Sequence, residues 1–153
     1  FLHSLMFSLL YRCSPAECKF ILIDPKRVEL VHYKDIPHLL TPVVTDLEKA
    51  PSVFKWAVSE MERRYRLFES AKARNIDMYN EKSGFQALPY IVLAVDELAE
   101  IMITDPAEVE KSIIRFRVKS VLRLEGKSRI IKPDVTTKTI LGLKINAIAK
   151  VKK

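Results

Sequence analysis

Residues 88–100, Leu88-Pro89-Tyr90-Ile91-Val92-Leu93-Ala94-Val95-Asp96-Glu97-Leu98-Ala99-Glu100, constrain the fold more than any other stretch of this chain. Five consecutive apolar residues follow Tyr90. Such a run suits a strand buried on both faces, as in a parallel sheet covered by helices. It ends abruptly in two adjacent carboxylates, after which the sequence turns polar and helical. Ionised carboxylates at the end of a buried strand are costly unless something positive faces them. That end of a strand is also where open α/β sheets bind ligands.

One known solution is the Walker-B arrangement of P-loop ATPases, in which an acid at the strand end helps hold Mg²⁺ and a further group orients the attacking water. Asp96 and Glu97 stand in those two places. An isolated Asp-Glu pair after an apolar run equally fits a helix start, where acids favour the N-terminal dipole. The pair needs the rest of the chain to decide between the two.

Residues 19–24, Lys19-Phe20-Ile21-Leu22-Ile23-Asp24, repeat the pattern: a buried-strand candidate that ends in a carboxylate followed by polar residues. Residues 1–12 read as an apolar helix, broken by Ser14-Pro15. Val43-Val44 reads as a short strand, with Thr45 or Asp46 as a helix cap. A long helix then begins near Pro51, which fits only a first turn, and buries Phe54, Ala57, Val58, Met61, Tyr65 and Phe68. Its Glu60 and Arg64 form an i,i+4 pair. Residues 73–87 read as a loop with one helical turn, residues 106–124 as a helix, and the stretch from Gly126 as one or two strands. Helices alternating with buried strands predict a parallel sheet with crossover helices. That order also implies a further strand ahead of residue 1.

A chain of 153 residues with 48% apolar content is one domain with a core, and no apolar run reaches the ~18 residues of a membrane span. Charge is divided unevenly. Residues 1–110 carry 13 Lys+Arg against 17 Asp+Glu, and residues 111–153 carry 13 against 2. Such asymmetry fits an anionic partner, nucleic acid above all, or a solvated basic helix face. Two cysteines make no disulfide framework and place the chain by default in a reducing compartment. Cys13 and Cys18 with His32 and His38 imitate a zinc-finger spacing, but a strand-like run occupies the linker and the finger's own core residues are missing. His3, His32 and His38 have no partners at catalytic spacing and read as structural.

Several motifs together resemble one family. Leu22-Ile23-Asp24-Pro25-Lys26-Arg27-Val28-Glu29-Leu30 is followed by Ile36-Pro37-His38-Leu39-Leu40-Thr41-Pro42-Val43-Val44-Thr45-Asp46. Then come Lys55-Trp56-Ala57-Val58, Glu60-Met61-Glu62-Arg63-Arg64-Tyr65, Arg74-Asn75-Ile76-Asp77, Tyr79-Asn80-Glu81-Lys82 and the strand ending at Asp96-Glu97. In this order across residues 1–104 they resemble the motor domain of the FtsK/SpoIIIE DNA translocases. The resemblance implies an α/β fold: an incomplete RecA-like P-loop ATPase core with a mostly parallel sheet flanked by helices. It divides the chain into residues 1–125, part of that motor domain, and residues 126–153, a divergent basic segment of the same domain. It implies ATP and Mg²⁺ as cofactors, with Asp96 on the metal and Glu97 as the catalytic carboxylate acting on water. Asp24, Lys26 and Glu29, just beyond a strand's carboxyl end, become nucleotide-edge or subunit-interface candidates; the bland alternative is a surface ion-pair cluster. The implied partners are double-stranded DNA and further copies in a hexameric ring. The implied setting is cytoplasmic, in chromosome segregation and cell division, with complete members anchored to the inner membrane by a separate N-terminal region.

The departures matter as much. The family's phosphate loop, G-x-x-x-x-G-K-[ST], is not in these 153 residues, and the expectation is that it lies just ahead of Phe1. Gly126-Lys127-Ser128 imitates its tail, but Val121 stands where the first glycine belongs. Lys132-Pro133-Asp134-Val135 resembles the family's Arg-Pro segment, while a sensor glutamine is missing and Lys150 stands near the place of the trans-acting arginine. Lysine does not reproduce arginine's bidentate fork on phosphate. The expectation is a motor segment that does not hydrolyse ATP alone. Two alternatives stay open: a related ring ATPase of conjugation or secretion, and a non-enzymatic basic module that grips DNA.

Overall fold

The computed structural model describes residues 2–84 and 87–121. Helix α1 (Leu2–Arg12) leads into strand β1 (Cys18–Ile23), and a long connection with single 3-10 turns at Val31–Tyr33 and Leu47–Lys49 leads to helix α2 (Ala50–Ser70). Helix α3 (Ile76–Ser83), strand β2 (Tyr90–Val95) and helices α4 (Leu98–Thr104) and α5 (Pro106–Val121) complete the order. The two strands pair in parallel, Cys18 opposite Tyr90 and Ile23 opposite Val95. Parallel neighbours need a crossover, and here α2 and α3 lie between them in the chain. This is the α/β class expected from the sequence, a small parallel sheet flanked by helices.

Period-two alternation sends the strand side chains to two separate cores. Ile21, Ile23, Ile91, Leu93 and Val95 pack with Phe54, Ala57, Val58 and Met61 of α2, Ile101 of α4, and Val109 and Phe116 of α5. Cys18, Phe20, Leu22 and Ala94 pack on the other face with Leu2 and Met6 of α1 and with Leu30 and Tyr33. Each large apolar side chain so buried contributes about 1.5–3 kcal/mol. Burial on both faces is the reason the strands read as unbroken apolar runs rather than alternating ones.

The free flank of β1 is covered by residues 38–44, which touch it in parallel at only two points, Phe20 with Leu39 and Ile23 with Val44. Leu40 N donates to Phe20 O at 2.9 Å and Val44 N donates to Leu22 O at 2.9 Å. The flanking segment thus spends four residues where β1 spends two. Pro42, which has no N–H, lies in the surplus. The strand expected at Val43-Val44 is therefore a single bridge. Asp46 is a cap as expected, its carboxylate accepting from Glu48 N at 3.0 Å ahead of the 3-10 turn, and Pro51 falls in the first turn of α2.

One expectation is revised by capping. Within the loop expected over residues 73–87, eight residues form α3, because Asn75 accepts from Met78 N at 2.8 Å and starts a helix. The helix expected over residues 106–124 is α5, Pro106–Val121 among the described residues, with the shorter α4 ahead of it. Asp105 separates the two and caps α5, accepting from Glu108 N at 3.1 Å, with Pro106 at the first helical position. The one or two strands expected from Gly126 onward, the Gly126-Lys127-Ser128 run, the Lys132-Pro133 segment and Lys150 lie outside the described residues. Among the described residues no helix is long and apolar enough to cross a membrane.

Candidate functional site

Because β1 and β2 end in register, Asp24 and Asp96 leave the sheet side by side at one edge. The ladder continues one residue further on each strand: Asp96 N donates to Ile23 O at 3.0 Å, and Asp24 N donates to Val44 O at 2.9 Å. Both acids are buried, Asp24 at 0% and Asp96 at 6% exposure. Two carboxylates buried at the carboxyl ends of adjacent parallel strands mark the ligand edge of such a sheet.

The two do different work. Oδ2 of Asp24 accepts from Leu30 N at 2.8 Å and from Val31 N at 3.3 Å, so this carboxylate staples its own loop shut. Its Oδ1 is buried and has no hydrogen-bond partner among the described residues. Asp24 is therefore no member of a surface ion-pair cluster. The loop it closes begins with a hydrogen-bonded turn, Arg27 N to Asp24 O at 3.2 Å, with Pro25 at the second position where its fixed φ is favoured. Arg27 leaves the turn with φ +57°, a left-handed conformation that costs a side-chain-bearing residue free energy. Glu29 lies half-buried in the same loop.

This turn presents Lys26 to the start of α4. Its Nζ lies 3.8 Å from Glu97 Oε2 and 3.4 Å from Glu100 Oε1. Glu97 occupies the cap position of α4 with extended backbone, φ −131° and ψ 100°, yet its side chain makes no capping bond. The carboxylate is thereby left to Lys26. Of the five residues singled out from sequence, the structure thus joins Lys26 to Glu97 and sets Asp24 beside Asp96. Glu100 was not singled out; only the parallel register brings the loop after β1 against the first turn of α4.

A buried carboxylate supplies the hard oxygen that Mg²⁺ prefers, and Mg²⁺ is commonly held through one or two carboxylates plus substrate phosphates. Asp96 suits that use. Among the described residues no three His, Cys, Asp or Glu side chains converge into a closed metal cage.

The remaining polar candidates are accounted for by packing. Arg64 is buried at 2% exposure. Its Nε donates to Glu60 Oε1 at 2.6 Å and its Nη1 to Pro89 O at 2.6 Å, which ties α2 to the residue just before β2. Arg63 adds two bonds to the same Glu60. Burial works to raise the Glu60 carboxyl, but the hydrogen bonds from Arg63 and Arg64 outweigh it and hold the group below its ordinary value. His38 Nε2 donates to the Cys13 carbonyl at 2.9 Å, and a carbonyl only accepts, so this nitrogen carries the proton. Cys18 lies in β1, its thiol pushed up to about 12 by burial. His3 Nδ1 meets the Tyr33 hydroxyl at 2.8 Å. Cys13, Cys18 and His38 of the zinc-like spacing are thus engaged in structural contacts.

The sequence profile of the FtsK/SpoIIIE family covers residues 1–127. The DNA translocase FtsK of Caldanaerobacter subterraneus subsp. tengcongensis is 53% identical over 125 residues, 82% of this chain and 17% of the relative. DNA translocase SftA of Bacillus subtilis is 46% identical over 123 residues, 78% of this chain and 13% of the relative. The chain therefore spans less than a fifth of either relative. Among solved structures, the pCW3 conjugation coupling protein TcpA, in its monomer form with ATPγS, superposes with a TM-score of 0.55 at 25% identity over 78% of this chain and 32% of that one. The cytoplasmic domain of EssC superposes with a TM-score of 0.63 at 22% identity over 76% of this chain and 23% of that one, and shares the fold. The profile over residues 1–127 and these identities show that the chain belongs to the FtsK/SpoIIIE family.

Proposed function

We propose that this chain is the Walker-B half of an ATP-driven motor with a RecA-like core, which moves double-stranded DNA in chromosome segregation and cell division. The observation that carries the proposal is the pair Asp96-Glu97 at the end of β2, in a chain 53% identical to a DNA translocase. Asp96 would hold the Mg²⁺ that accompanies ATP. When bound, that ion draws charge from the phosphates. Glu97, at the helix cap with its carboxylate 41% exposed, orients the attacking water. Lys26 and Glu29, in the loop stapled by Asp24, form the neighbouring nucleotide edge.

The 153 residues contain no phosphate loop. They supply the acids, and the backbone N–H cradle and its lysine come from elsewhere in the motor. Copies of this domain assemble as a hexameric ring around the duplex in the cytoplasm. Identities of 44–53% to DNA translocases, against 22–25% to the conjugation protein and EssC, favour duplex DNA over a protein or single-stranded substrate.

The test is steady-state ATP turnover, with and without duplex DNA, in a motor carrying residues 1–104 in place of the matching segment of SftA. Glu97→Gln is expected to lower kcat by at least about 100-fold while nucleotide binding persists, the scale of losing a positioned acid-base group. Turnover within about threefold of the unsubstituted motor refutes the assignment. The isolated 153-residue chain is expected to show no turnover.

A further inference from the structure

Lys26 is the cation that answers the first problem posed by the sequence, the charge at the end of β2, but it answers it in an unequal way. Its ammonium is shared between two carboxylates one helical turn apart, 3.4 Å from Glu100 and 3.8 Å from Glu97. The three groups are partly exposed, Lys26 at 49%, Glu97 at 41% and Glu100 at 32%. Pairs of this exposure are weak and exchange readily. Glu97 has no competing role in its own helix, since it caps α4 without a side-chain capping bond.

We propose that Lys26 is a positioning residue that restrains Glu97, with Glu100 as the alternative seat that releases it. The proposal rests on Glu97 being the water-orienting carboxylate. An ammonium against a carboxylate occupies one of its lone pairs and fixes the direction in which the group points, so a Glu97 held by Lys26 is a poorer partner for water. When Lys26 sits on Glu100 instead, Glu97 is free to turn. The loop is built for such an exchange. It is pinned at one end by the Asp24 staple and turned by Pro25, so the lysine's backbone stays put while its long, flexible stem moves between two partners.

The first test uses the 153-residue chain and a water-soluble carbodiimide, which joins an amine to a carboxylate already in contact with it. Peptide mapping is expected to find Lys26 joined to both Glu97 and Glu100. Glu100→Gln is expected to raise the Lys26–Glu97 product about twofold or more. Absence of both products from the folded chain, or an unchanged Lys26–Glu97 yield in Glu100→Gln, overturns the shared clamp.

The second test reads turnover in the SftA graft. Lys26→Gln is expected to raise kcat about two- to fivefold with KM for ATP unchanged, the range an ion pair of this exposure supports. Glu100→Gln is expected to lower kcat, and the double variant to match Lys26→Gln. Changes of the same sign in the two single variants, or none in either while Glu97→Gln abolishes turnover, overturn the restraint and leave the Glu97 assignment standing. Turnover that survives Glu97→Gln overturns that assignment itself, and the restraint with it. If the graft does not assemble, the cross-linking result decides.

Discussion

Asp24→Ala tests whether the acid that ends β1 holds its own loop closed. The substitution removes the acceptor of two backbone N–H groups, at 2.8 Å to Leu30 N and 3.3 Å to Val31 N. Leu30 is itself fully buried, so its amide finds no water in exchange. A hydrogen bond to a charged acceptor contributes about 1.5–3 kcal/mol, and the longer one about 0.5–1.5 kcal/mol. Against this stands the relief of no longer burying a carboxylate whose Oδ1 lacks a partner among the described residues, which offsets roughly 1–2 kcal/mol. The net loss is about 2 kcal/mol, a large share of the ~5–15 kcal/mol that a domain of this size possesses. With m of about 1–3 kcal/mol per molar urea, the unfolding midpoint followed by circular dichroism is expected to fall by roughly 0.7–2 M. Asp24→Asn keeps an acceptor in place and removes the charge, and is expected to stay within about 1 kcal/mol of the parent. A loss below about 0.5 kcal/mol in Asp24→Ala would refute the staple. So would an Asn variant as damaged as the Ala variant, since the charge rather than the acceptor would then be what the site needs.

Three further outcomes follow from the packing. Arg64→Met keeps the apolar stem but removes the bonds to Glu60 and to the Pro89 carbonyl, and is expected to cost about 2–4 kcal/mol in urea unfolding; a cost near zero would show that Arg63 alone satisfies Glu60. Glu60 is held below its ordinary value by its two arginines, so its contribution is fully present above the unfolded value of about 4.3 and is lost as pH falls through the lower folded value. Glu60→Gln is accordingly expected to flatten the acid loss of stability below about pH 5, and an unchanged acid limb would contradict the linkage. Alkylation of the native chain at pH 8 is expected to modify half-exposed Cys13 and spare Cys18, whose buried thiol is pushed up to about 12, until urea is added; equal labelling would contradict the burial of β1.

The two strands, their parallel sense and both strand-end acids were legible in the sequence because they depend on local pattern. An unbroken apolar run is buried on both faces whatever its neighbours, and a carboxylate that ends it is carried to the ligand edge. The buried stripe of α2 was legible for the same reason, helical spacing. The family was legible because seven short motifs occur in one order. What local pattern missed was decided by a single cap. Asn75 extends the one helical turn expected in the loop over residues 73–87 into the eight-residue α3. At Val43-Val44 a proline in the surplus chain left one bridge where a strand was expected.

The roles of individual charges belonged to tertiary structure alone. Asp24 and Lys26 are two residues apart in one polar loop, and nothing in that spacing says that one is buried on backbone amides while the other reaches across to α4. That division exists because β1 and β2 end in register, which places the loop after the first strand against the helix after the second. Composition and periodicity settle which segments are buried, since burial is a property of each segment's own side chains. Which charge meets which is a property of distances between segments far apart in the chain, and here it makes Lys26 the partner of Glu97 and Glu100.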